Sequence, residues 1–403
     1  MVVTPERPLR CGIIGIGARG RSFIKRLASV ANVEIAWLVD VSADRLDMAL
    51  ALAGERSPRI TRETAEAFAD SSLAAVLIAT PDHLHAEQAI AAFAAGKHVF
   101  LEKPLATTLA DGRAVLSARA KSGRVLRLGY VLREALLFRS VRQAITEGRV
   151  GRVLSIRLAD DLSVLHGASY RRRWHRRSAA SGGLMVHKGC HDLDLICWLL
   201  ATRPTRVASF GAADLFARAP PAPFCSVCPE RGVCPYVDTG AYEARTPAET
   251  ADPTAHGLDV CVFGDDSDLV DRQVVAFEMA SGAQGVFSLA MGNPGRSDRT
   301  FTIVGDAGRI DGRFGEGRWT LTPIRGEPAT WSPGEPTKGG HGGGDEGVLR
   351  AFLRACAVDG PVAWSDEADE DALRGLAFAL AAETARKTGR VAALGADMTA
   401  GAV

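Results

Sequence analysis

The sequence lacks the features that would indicate a nucleic-acid or membrane partner. It has no excess charge of either sign, because 48 Lys and Arg residues are balanced by 47 Asp and Glu residues in a chain of 403. A near-neutral chain without a basic tract offers no electrostatic footprint for nucleic acid or for an anionic membrane surface. No apolar run approaches the roughly 20 residues needed to span a bilayer. We therefore predict neither kind of partner.

Signals for export and for a disulfide scaffold are missing as well. The N-terminal apolar run leads into glycines rather than into a cleavage site, which is not typical of a signal peptide. Eight Cys in a chain of this length, without an export signal, do not indicate a disulfide framework. No internal repeat or low-complexity arm interrupts the chain. These features predict a cytoplasmic protein whose length suits two or three globular domains.

Short apolar runs alternate with helical patterns over the first 130 residues. The runs at 10–15, 33–40, 74–80, 97–103 and 124–130 hardly alternate in polarity, as expected for strands buried on both faces. The alternation of strands and helices along the chain is typical of an α/β fold. We predict a doubly wound parallel sheet, a Rossmann domain, over residues 1–129.

The pattern changes after residue 129. Strand-like runs joined by Gly-rich turns predict an α+β domain over residues 130–403 with a large, mostly antiparallel sheet. A Cys-rich excursion occupies about residues 220–240, and a Gly/Pro-rich loop over 328–347 precedes two final helices. The last of these helices is a candidate to pack back on the Rossmann domain.

A glycine motif follows the first predicted strand and opens a helix: Gly15-Ile16-Gly17-Ala18-Arg19-Gly20. Such glycines permit a tight turn and close approach to a pyrophosphate, and the helix N-terminus offers free N–H groups. Asp40 lies 20 residues beyond Gly20, at the end of the second strand, where a carboxylate can accept both ribose hydroxyls. NAD is therefore favoured, while a nearby Arg45 leaves NADP open as the cofactor.

Further motifs add a family resemblance. Thr80-Pro81-Asp82-His83-Leu84-His85 and Glu102-Lys103-Pro104 follow the next two strands, and a third motif lies at residues 182–194. Together with the glycine motif, they resemble the glucose–fructose oxidoreductase and inositol dehydrogenase (Gfo/Idh/MocA) family over nearly the whole chain. The resemblance implies hydride transfer between NAD(P) and a sugar, cyclitol or related polyol. It also implies a homodimer or homotetramer.

The resemblance assigns residues to the nicotinamide end of the cofactor. Thr80, Pro81 and His85 would line its ribose side, with Glu102 and Lys103 beside the ring. Elementary chemistry agrees for Lys103, because a cation near the substrate oxygen stabilises the alkoxide that develops as the hydroxyl loses its proton.

A helix predicted over 184–200 places His187, His191 and Asp194 on one face. The family typically has Asp-x-x-x-His here, and its His acts as the acid and base. His191 matches that His, and an imidazole suits reversible proton exchange with a hydroxyl. His187 stands in place of the Asp, as in one branch of the family, and the loss of this carboxylate leaves the proton route open.

Other residues are candidates for the substrate side. The basic segment 170–177 is predicted at the rim of the pocket, where arginines bind carboxylates or phosphates, or alternatively as a solvated loop. The substrate candidates are Tyr130, Arg133, Tyr170, Arg173, His175, His187, His191 and His341.

Four cysteines form a separate candidate site. Cys225, Cys228 and Cys234 are closely spaced, and Cys261 lies further along the chain. Four thiolates suit structural Zn²⁺, which can order an insertion with little core of its own. An iron–sulfur cluster or unliganded thiols remain alternatives. The other four cysteines lie in apolar patterns and are predicted to be buried.

Three functions follow from these features. The leading one is an NAD(P)-dependent oxidoreductase in which Lys103 polarises the oxygen of a secondary alcohol or ketone and His191 exchanges the proton. A second keeps the cofactor but is redox-neutral, a glycosidase or epimerase that oxidises its sugar transiently. A third is a non-catalytic NAD-binding protein, which His187 favours and the intact Glu102-Lys103-Pro104 opposes.

Overall fold

The computed structural model describes residues 8–237, 259–264, 266–333, 341–357 and 366–402. These residues divide into two compact units. The first unit holds the described residues up to Gly129 and those within Val348–Asp369, and the second holds the remainder from Tyr130 onward. Residues 238–240 of the predicted Cys-rich excursion and 334–340 of the predicted Gly/Pro-rich loop lie outside the described residues.

The first unit is built on a six-stranded parallel sheet. Its strands are β1 (Leu9–Ile14), β2 (Val33–Val39), β3 (Arg59–Thr61), β4 (Ala75–Ile78), β5 (His98–Leu101) and β6 (Leu126–Leu128), in the order β3-β2-β1-β4-β5-β6. The strand order reverses between β1 and β4, and in such sheets ligands bind outside the carboxyl ends of the strands at that point. The predicted doubly wound sheet is confirmed. β3 was not predicted, because a three-residue strand leaves almost no periodic pattern.

Helices follow the strands in this unit. They are α1 (Ala18–Leu27), α2 (Ala43–Ala53), α3 (Thr64–Ala69), α4 (His85–Ala94) and α5 (Leu109–Ser122). The Ser42 side chain accepts from an N–H at the start of α2, and Thr108 does the same for α5. Such caps satisfy donors that the first helical turn leaves unpaired, so each helix begins soon after the loop that leaves the sheet.

The second unit is built on a ten-stranded sheet. Its strands are β7 (Val153–Ser163), β8 (Pro204–Ala212), β9 (Arg272–Met279), β10 (Gln284–Asn293), β11 (Asp298–Gly305), β12 (Gly308–Arg313), β13 (Arg318–Pro323), β14 (Ala329–Trp331), β15 (Ala392–Leu394) and β16 (Ala400–Ala402). The order is β14-β13-β12-β11-β7-β10-β9-β8-β15-β16. Among the described strands of this second sheet, only the β7–β10 pair is parallel, so the prediction of a mostly antiparallel sheet is confirmed. Buried and exposed residues alternate along β9, as in a sheet with one covered face.

The helices that belong to the second unit are α6 (Leu136–Thr146), α7 (Val164–Ser169), α8 (Ser178–Ser181) and α9 (Cys190–Leu200), and α9 is preceded by a π-helical turn, Met185–Gly189. Two more helices, α10 (Gly344–Cys356) and α11 (Asp366–Thr388), contribute residues to both units. The helix predicted over 184–200 is therefore present, with its first turn widened. In the part of the chain that the structure describes, no helix is both long and apolar enough to cross a membrane.

Candidate active site

The glycine motif forms a tight turn between β1 and α1. Gly15 has a φ of +86°, a conformation that L side chains rarely adopt, and a Cβ there would lie 2.7 Å from the Ala79 carbonyl oxygen. A Cβ on Gly20 would lie 2.0 Å from the Gly15 carbonyl oxygen, so α1 can approach the turn only with glycine at this position. A Cβ on Gly17 would meet nothing within 4 Å. The turn thus leaves open space at the N-terminus of α1, which suits a pyrophosphate.

Asp40 is held beside this turn at the end of β2. Its carboxylate accepts from the Ile16 N–H at 2.7 Å and from the Ser42 N–H at 2.9 Å, and the residue is only 8% exposed. Two fixed donors leave further lone pairs on the carboxylate for ribose hydroxyls. Arg45 lies in the first turn of α2, where its N–H donates to the Ser42 hydroxyl.

Glu102 joins three loops at the carboxyl edge of the sheet. It accepts from Nε and Nη2 of Arg19, each at 2.6 Å, and from the Lys103 N–H at 3.3 Å. A Cβ on Gly129 would lie 3.0 Å from its Oε2 atom, so the chain after β6 also passes against this carboxylate. The predicted cofactor residues Arg19, Glu102 and Lys103 are therefore brought together within the first unit.

His85 lies beneath this edge rather than on its surface. The ring is fully buried, with Nδ1 2.7 Å from the Pro104 carbonyl oxygen and Nε2 3.0 Å from the Thr80 carbonyl oxygen. It therefore connects the loop after β4 to the loop after β5. The Thr80 hydroxyl donates to Gln88 at 2.6 Å, and Pro81 begins the turn that follows. Direct contact of His85 with the cofactor stays a prediction.

Asp82 is a buried carboxyl that the sequence analysis did not select. Burial raises its pKa to about 7, although the charges of Lys103 and His85 act to lower it. A carboxyl that titrates near neutrality beside a predicted catalytic lysine is a feature often found at active sites. Its position two residues after Thr80 was the signal that could have identified it.

In the second unit, the predicted catalytic helix gives its two histidines different neighbours. The His187 ring lies 5.5 Å from Tyr170, 5.2 Å from Trp174 and 4.9 Å from His175, measured between ring centroids. Tyr170 and His175 also stack on each other at 4.9 Å. We call Tyr170, Trp174 and His175 the aromatic wall. It brings together three of the predicted substrate residues, Tyr170, His175 and His187.

His191 lies one turn further along this helix. Its ring is 6.5 Å from Tyr130 and 5.6 Å from His341, again between centroids. His341 Nδ1 lies 3.0 Å from a carboxylate oxygen of Asp345. A carboxylate, two imidazoles and a phenol thus lie near one another within this unit, and such groups can exchange protons with a substrate.

A buried charge cluster fixes the side of the same helix that carries Lys188 and Asp192. Lys188 Nζ lies 2.7 Å from Asp160 Oδ2, the same oxygen lies 2.8 Å from Arg299, and Arg299 binds both oxygens of Asp192 at 2.6 and 3.3 Å. Asp160 and Arg299 are cross-strand partners on β7 and β11. Two cations and two carboxylates balance, as buried charges must. Their joint action orients the helix that carries His187 and His191.

The start of this helix is anchored by a further carboxylate. Glu383 on α11 accepts from the Met185 N–H at 2.9 Å, and a Cβ on Gly183 would lie 2.6 Å from the Glu383 carboxyl carbon. A π-helical turn is rare and is frequently found at functional sites. Here it lies between the Glu383 contact and the buried charge cluster.

Arg133 forms a buried ion pair within the second unit. Its Nε and Nη2 atoms bind the Asp194 carboxylate at 2.8 and 2.6 Å, and Nη1 lies 3.4 Å from Asp371. Burial lowers the pKa of Arg133, but the charge of Asp194 outweighs it, so the pKa is raised overall. The Tyr130 hydroxyl is buried without a hydrogen-bond partner among the described residues. Burial is the largest cause that raises the pKa of the Tyr130 hydroxyl, and the neighbouring Cys190 and Asp194 raise it further.

The basic segment is folded inward rather than solvated. The guanidinium groups of Arg171 and Arg172 are buried and donate to backbone carbonyls, so the prediction that arginines of this segment bind an anionic substrate does not hold for these two. Arg173 is half-buried. The physical reason is that a guanidinium with five donors can satisfy several carbonyls of a loop that has no regular pairing.

The four cysteines of the candidate metal site line one cavity, together with Arg172, Arg218 and Arg231. Cys225 and Cys261 are buried. Burial is the largest cause that raises the pKa of Cys261, and the neighbouring thiols also raise it. No group of three or more His, Cys, Asp or Glu side chains with metal-ligand geometry occurs among the described residues. Of the other cysteines, Cys11, Cys190 and Cys197 are buried as predicted, whereas Cys356 is partly exposed.

Comparisons with known proteins bear on both units. The sequence model of the oxidoreductase family with an NAD-binding Rossmann fold matches residues 9–130, and that of the GFO/IDH/MocA C-terminal domain matches residues 138–311. This chain belongs to the Gfo/Idh/MocA oxidoreductase family. The two matches together cover most of the chain, as the resemblance of its motifs implied.

Three similar proteins illustrate the range of this family. The oxidoreductase YteT of Bacillus subtilis (strain 168) is 30% identical over 303 residues, which are 68% of this chain and 70% of YteT. The 1,5-anhydro-D-fructose reductase of Ensifer adhaerens is 32% identical over 201 residues, 50% of this chain and only 59% of the reductase. A solved structure of levoglucosan dehydrogenase with NADH and L-sorbose has a TM-score of 0.75 and 21% identity, covering 97% of this chain and 100% of that one. At this identity, the likeness concerns the fold alone.

Proposed function

We propose that this protein is an NAD-dependent oxidoreductase that acts on a secondary alcohol or ketone of a sugar, cyclitol or sugar-derived compound. The observation that carries the proposal is the edge of the first sheet, where the glycine turn, Asp40, Glu102 and Lys103 lie together. The names of two similar proteins, a reductase of 1,5-anhydro-D-fructose and a dehydrogenase of levoglucosan, support a sugar substrate.

The residues of the first unit fit a dinucleotide. The open space at Gly17 would admit the pyrophosphate, the fixed Asp40 carboxylate would accept from the ribose hydroxyls, and the loop at Thr80 would line the nicotinamide end. Asp40 disfavours a 2′-phosphate, because two negative charges would meet there. When bound, NAD supplies the hydride acceptor. The chain's own task is to hold the substrate hydroxyl and to accept its proton.

Lys103 and His191 are the residues we assign to that task. The ammonium group of Lys103 would stabilise the negative charge that develops on the substrate oxygen, and the His191 imidazole would exchange the hydroxyl proton. Near His191, the pair of His341 and Asp345 offers an onward route for the proton. We expect His191→Ala to lower turnover far more than NAD affinity. Unchanged turnover would contradict the assignment.

A spectrophotometric panel tests the proposed function. The protein is mixed with NAD and with cyclitols, hexoses, amino sugars and sugar acids, and the absorbance at 340 nm is followed. The wild type is compared with Lys103→Ala and with a matched control, Lys121→Ala, whose lysine is exposed on α5. A substrate-dependent rise that Lys103→Ala abolishes and Lys121→Ala retains supports a dehydrogenase. No net rise, with reduced cofactor released on denaturation, indicates the redox-neutral alternative. NAD binding without any reduction indicates a non-catalytic protein.

We also propose that the four cysteines bind a structural Zn²⁺ ion. Four thiols lining one cavity are the donor set of such sites, and a bound Zn²⁺ ion would favour the thiolate form of its ligands. Metal analysis of the purified protein tests this assignment. A content below about half an equivalent per chain would contradict it.

The open face of the second sheet supports a homodimer or homotetramer. Phe210 on β8 is 75% exposed, and its cross-strand partner Val274 on β9 is 44% exposed. Val286 on β10 is 40% exposed. Large apolar side chains grouped on a flat face are typical of a subunit interface. Phe210→Arg should therefore shift the mass measured by light scattering to that of a smaller species. The cytoplasmic location stays a prediction, which fractionation of cells would test.

A further inference from the structure

The cysteines lie in a small structural module that the proposed chemistry does not use. We define the cysteine module as residues 223–237 and 259–264. Its two segments are joined by hydrogen bonds from the Cys225 N–H to the Asp259 carbonyl at 2.8 Å and from the Cys261 N–H to the Pro223 carbonyl at 3.0 Å. The Asp259 carboxylate also accepts from the Ser226 N–H at 2.8 Å. Among these described residues the module has little regular structure, so these contacts define its shape.

Arg171 connects the module to the rest of the second unit. Its three guanidinium nitrogens donate to three carbonyl oxygens, those of Val262 at 3.2 Å, Leu269 at 3.3 Å and Gly264 at 3.1 Å. The residue is only 7% exposed. A planar guanidinium that binds three carbonyls of one loop fixes the loop relative to its own backbone.

Arg172 makes a second connection of the same kind. Nε donates to the Val260 carbonyl at 3.0 Å, and Nη2 contacts both the Tyr236 carbonyl and Cys225 Sγ, the latter at 3.7 Å. Its own carbonyl accepts from Arg176, whose Nε atom binds Asp266 at 2.7 Å. Consecutive arginines thus direct their side chains into the module and the loop after it.

The residues on either side of these arginines form the aromatic wall around His187. Tyr170 directly precedes Arg171, and Trp174 and His175 follow two and three residues after Arg172. All three ring centroids lie between 4.9 and 5.5 Å from that of His187. The backbone that carries the wall is therefore the same backbone that the module holds through its carbonyls.

We propose that the cysteine module supports the substrate side of this enzyme, and that Arg171 and Arg172 are positioning residues that hold the aromatic wall against His187. The inference rests on the proposed function, because His187 belongs to the predicted catalytic helix. Neither arginine contacts substrate in this scheme, since both side chains are buried and donate to carbonyls and a sulfur atom of the module and the loop after it. Loosening the module should impair recognition of the polyol and leave the nucleotide residues of the first unit unaffected.

Arg172→Met is the decisive variant, because methionine fills the space and removes every donor. We expect its KM for the polyol to rise at least about tenfold, with kcat reduced less and the Kd for NAD within about twofold of the wild type. Arg172→Lys should recover part of the loss, because an ammonium reaches one or two of the same acceptors. The matched control is Arg152→Met, an exposed arginine of the second unit beside Asp306, which should leave all three constants unchanged.

Hydrogen exchange read by mass spectrometry separates this inference from the proposed function. Arg172→Met should increase exchange over residues 164–178 and leave residues 9–40 as in the wild type. This readout stands even if the wild type oxidises no polyol of the panel, an outcome that would contradict the proposed function alone. Unchanged exchange over 164–178, or an unchanged polyol KM in an active enzyme, would overturn the inference. Should Arg172→Met not fold, Arg172→Lys is compared with Arg152→Lys by the same measurements and criteria.

Discussion

Replacement of Arg299 by methionine tests the buried charge cluster in the most direct way. Arg299 is buried and is the group that binds both Asp160 and Asp192, while Lys188 binds Asp160. In Arg299→Met, Asp160 keeps the ammonium of Lys188, but the Asp192 carboxylate loses both of its hydrogen bonds to the guanidinium. Removing one partner of a buried pair leaves an uncompensated charge, and the loss is about 3–5 kcal/mol of unfolding free energy.

The pH dependence of this loss has a definite sign. Burial raises the pKa of Asp192 even in the wild type, where Arg299 acts to lower it. Without Arg299 the pKa of the folded state rises further, whereas the unfolded chain titrates at about 4. Between those two values the folded state binds a proton that the unfolded state releases. The variant therefore loses stability as the pH rises, by up to about 1.4 kcal/mol per unit, and recovers it toward pH 5.

Urea denaturation at pH 5 and pH 8 measures both effects. Arg299→Lys tests whether a positive charge alone suffices, and Arg309→Met on the neighbouring strand β12 is the matched exposed control, with no measurable change expected. A loss below about 1 kcal/mol for Arg299→Met at pH 8 would refute the reasoning. Equal losses at pH 5 and pH 8 would refute the assignment of the uncompensated charge to Asp192.

Three further outcomes are expected. Gly20→Ala should lower NAD affinity at least about tenfold in a fluorescence titration, because its Cβ would meet the Gly15 carbonyl at 2.0 Å, and normal affinity would contradict the close packing. Asp40→Asn should weaken NAD binding and reduce the preference of the protein for NAD over NADP. An unchanged ratio of the Kd for NAD to the Kd for NADP would show that Asp40 does not bind the ribose hydroxyls. Burial, and to a smaller extent the charge of Lys188, lowers the pKa of His166 to about 3. The NMR signals of the His166 ring should therefore not titrate above pH 4, and a titration midpoint near pH 6 would contradict this expectation.

The sequence identified the nucleotide half of the protein almost completely. Parallel strands bring their carboxyl ends to one edge of a sheet, so motifs that follow successive strands come together without any knowledge of distant contacts. The glycine turn, Asp40 and Glu102 could be predicted for this reason. Asp82 could have been, because it lies in the same loop as Thr80, whereas β3 and α3 are too short to leave a pattern.

The same local logic identified His187 and His191 but not what holds them. A spacing of four residues places both on neighbouring positions of a helix, yet it does not reveal the π-helical turn or the Glu383 carboxylate that anchors it. It also suggested that arginines in segment 170–177 would meet substrate. Arg171 and Arg172 instead satisfy backbone carbonyls, since the described part of the loop they hold has little regular backbone pairing of its own.

What the sequence by itself determined is therefore the doubly wound parallel sheet of the first unit, apart from the short strand β3, and its fit to an NAD cofactor. Only the tertiary structure decided how charge is arranged around the helix that carries His187 and His191. Asp160 and Arg299 are 139 residues apart and meet because β7 pairs with β11 in one register, and Lys188 and Asp192 then insert from the helix above. The energy of such a cluster depends on burial and on partners that lie far away in the chain, which no local pattern encodes.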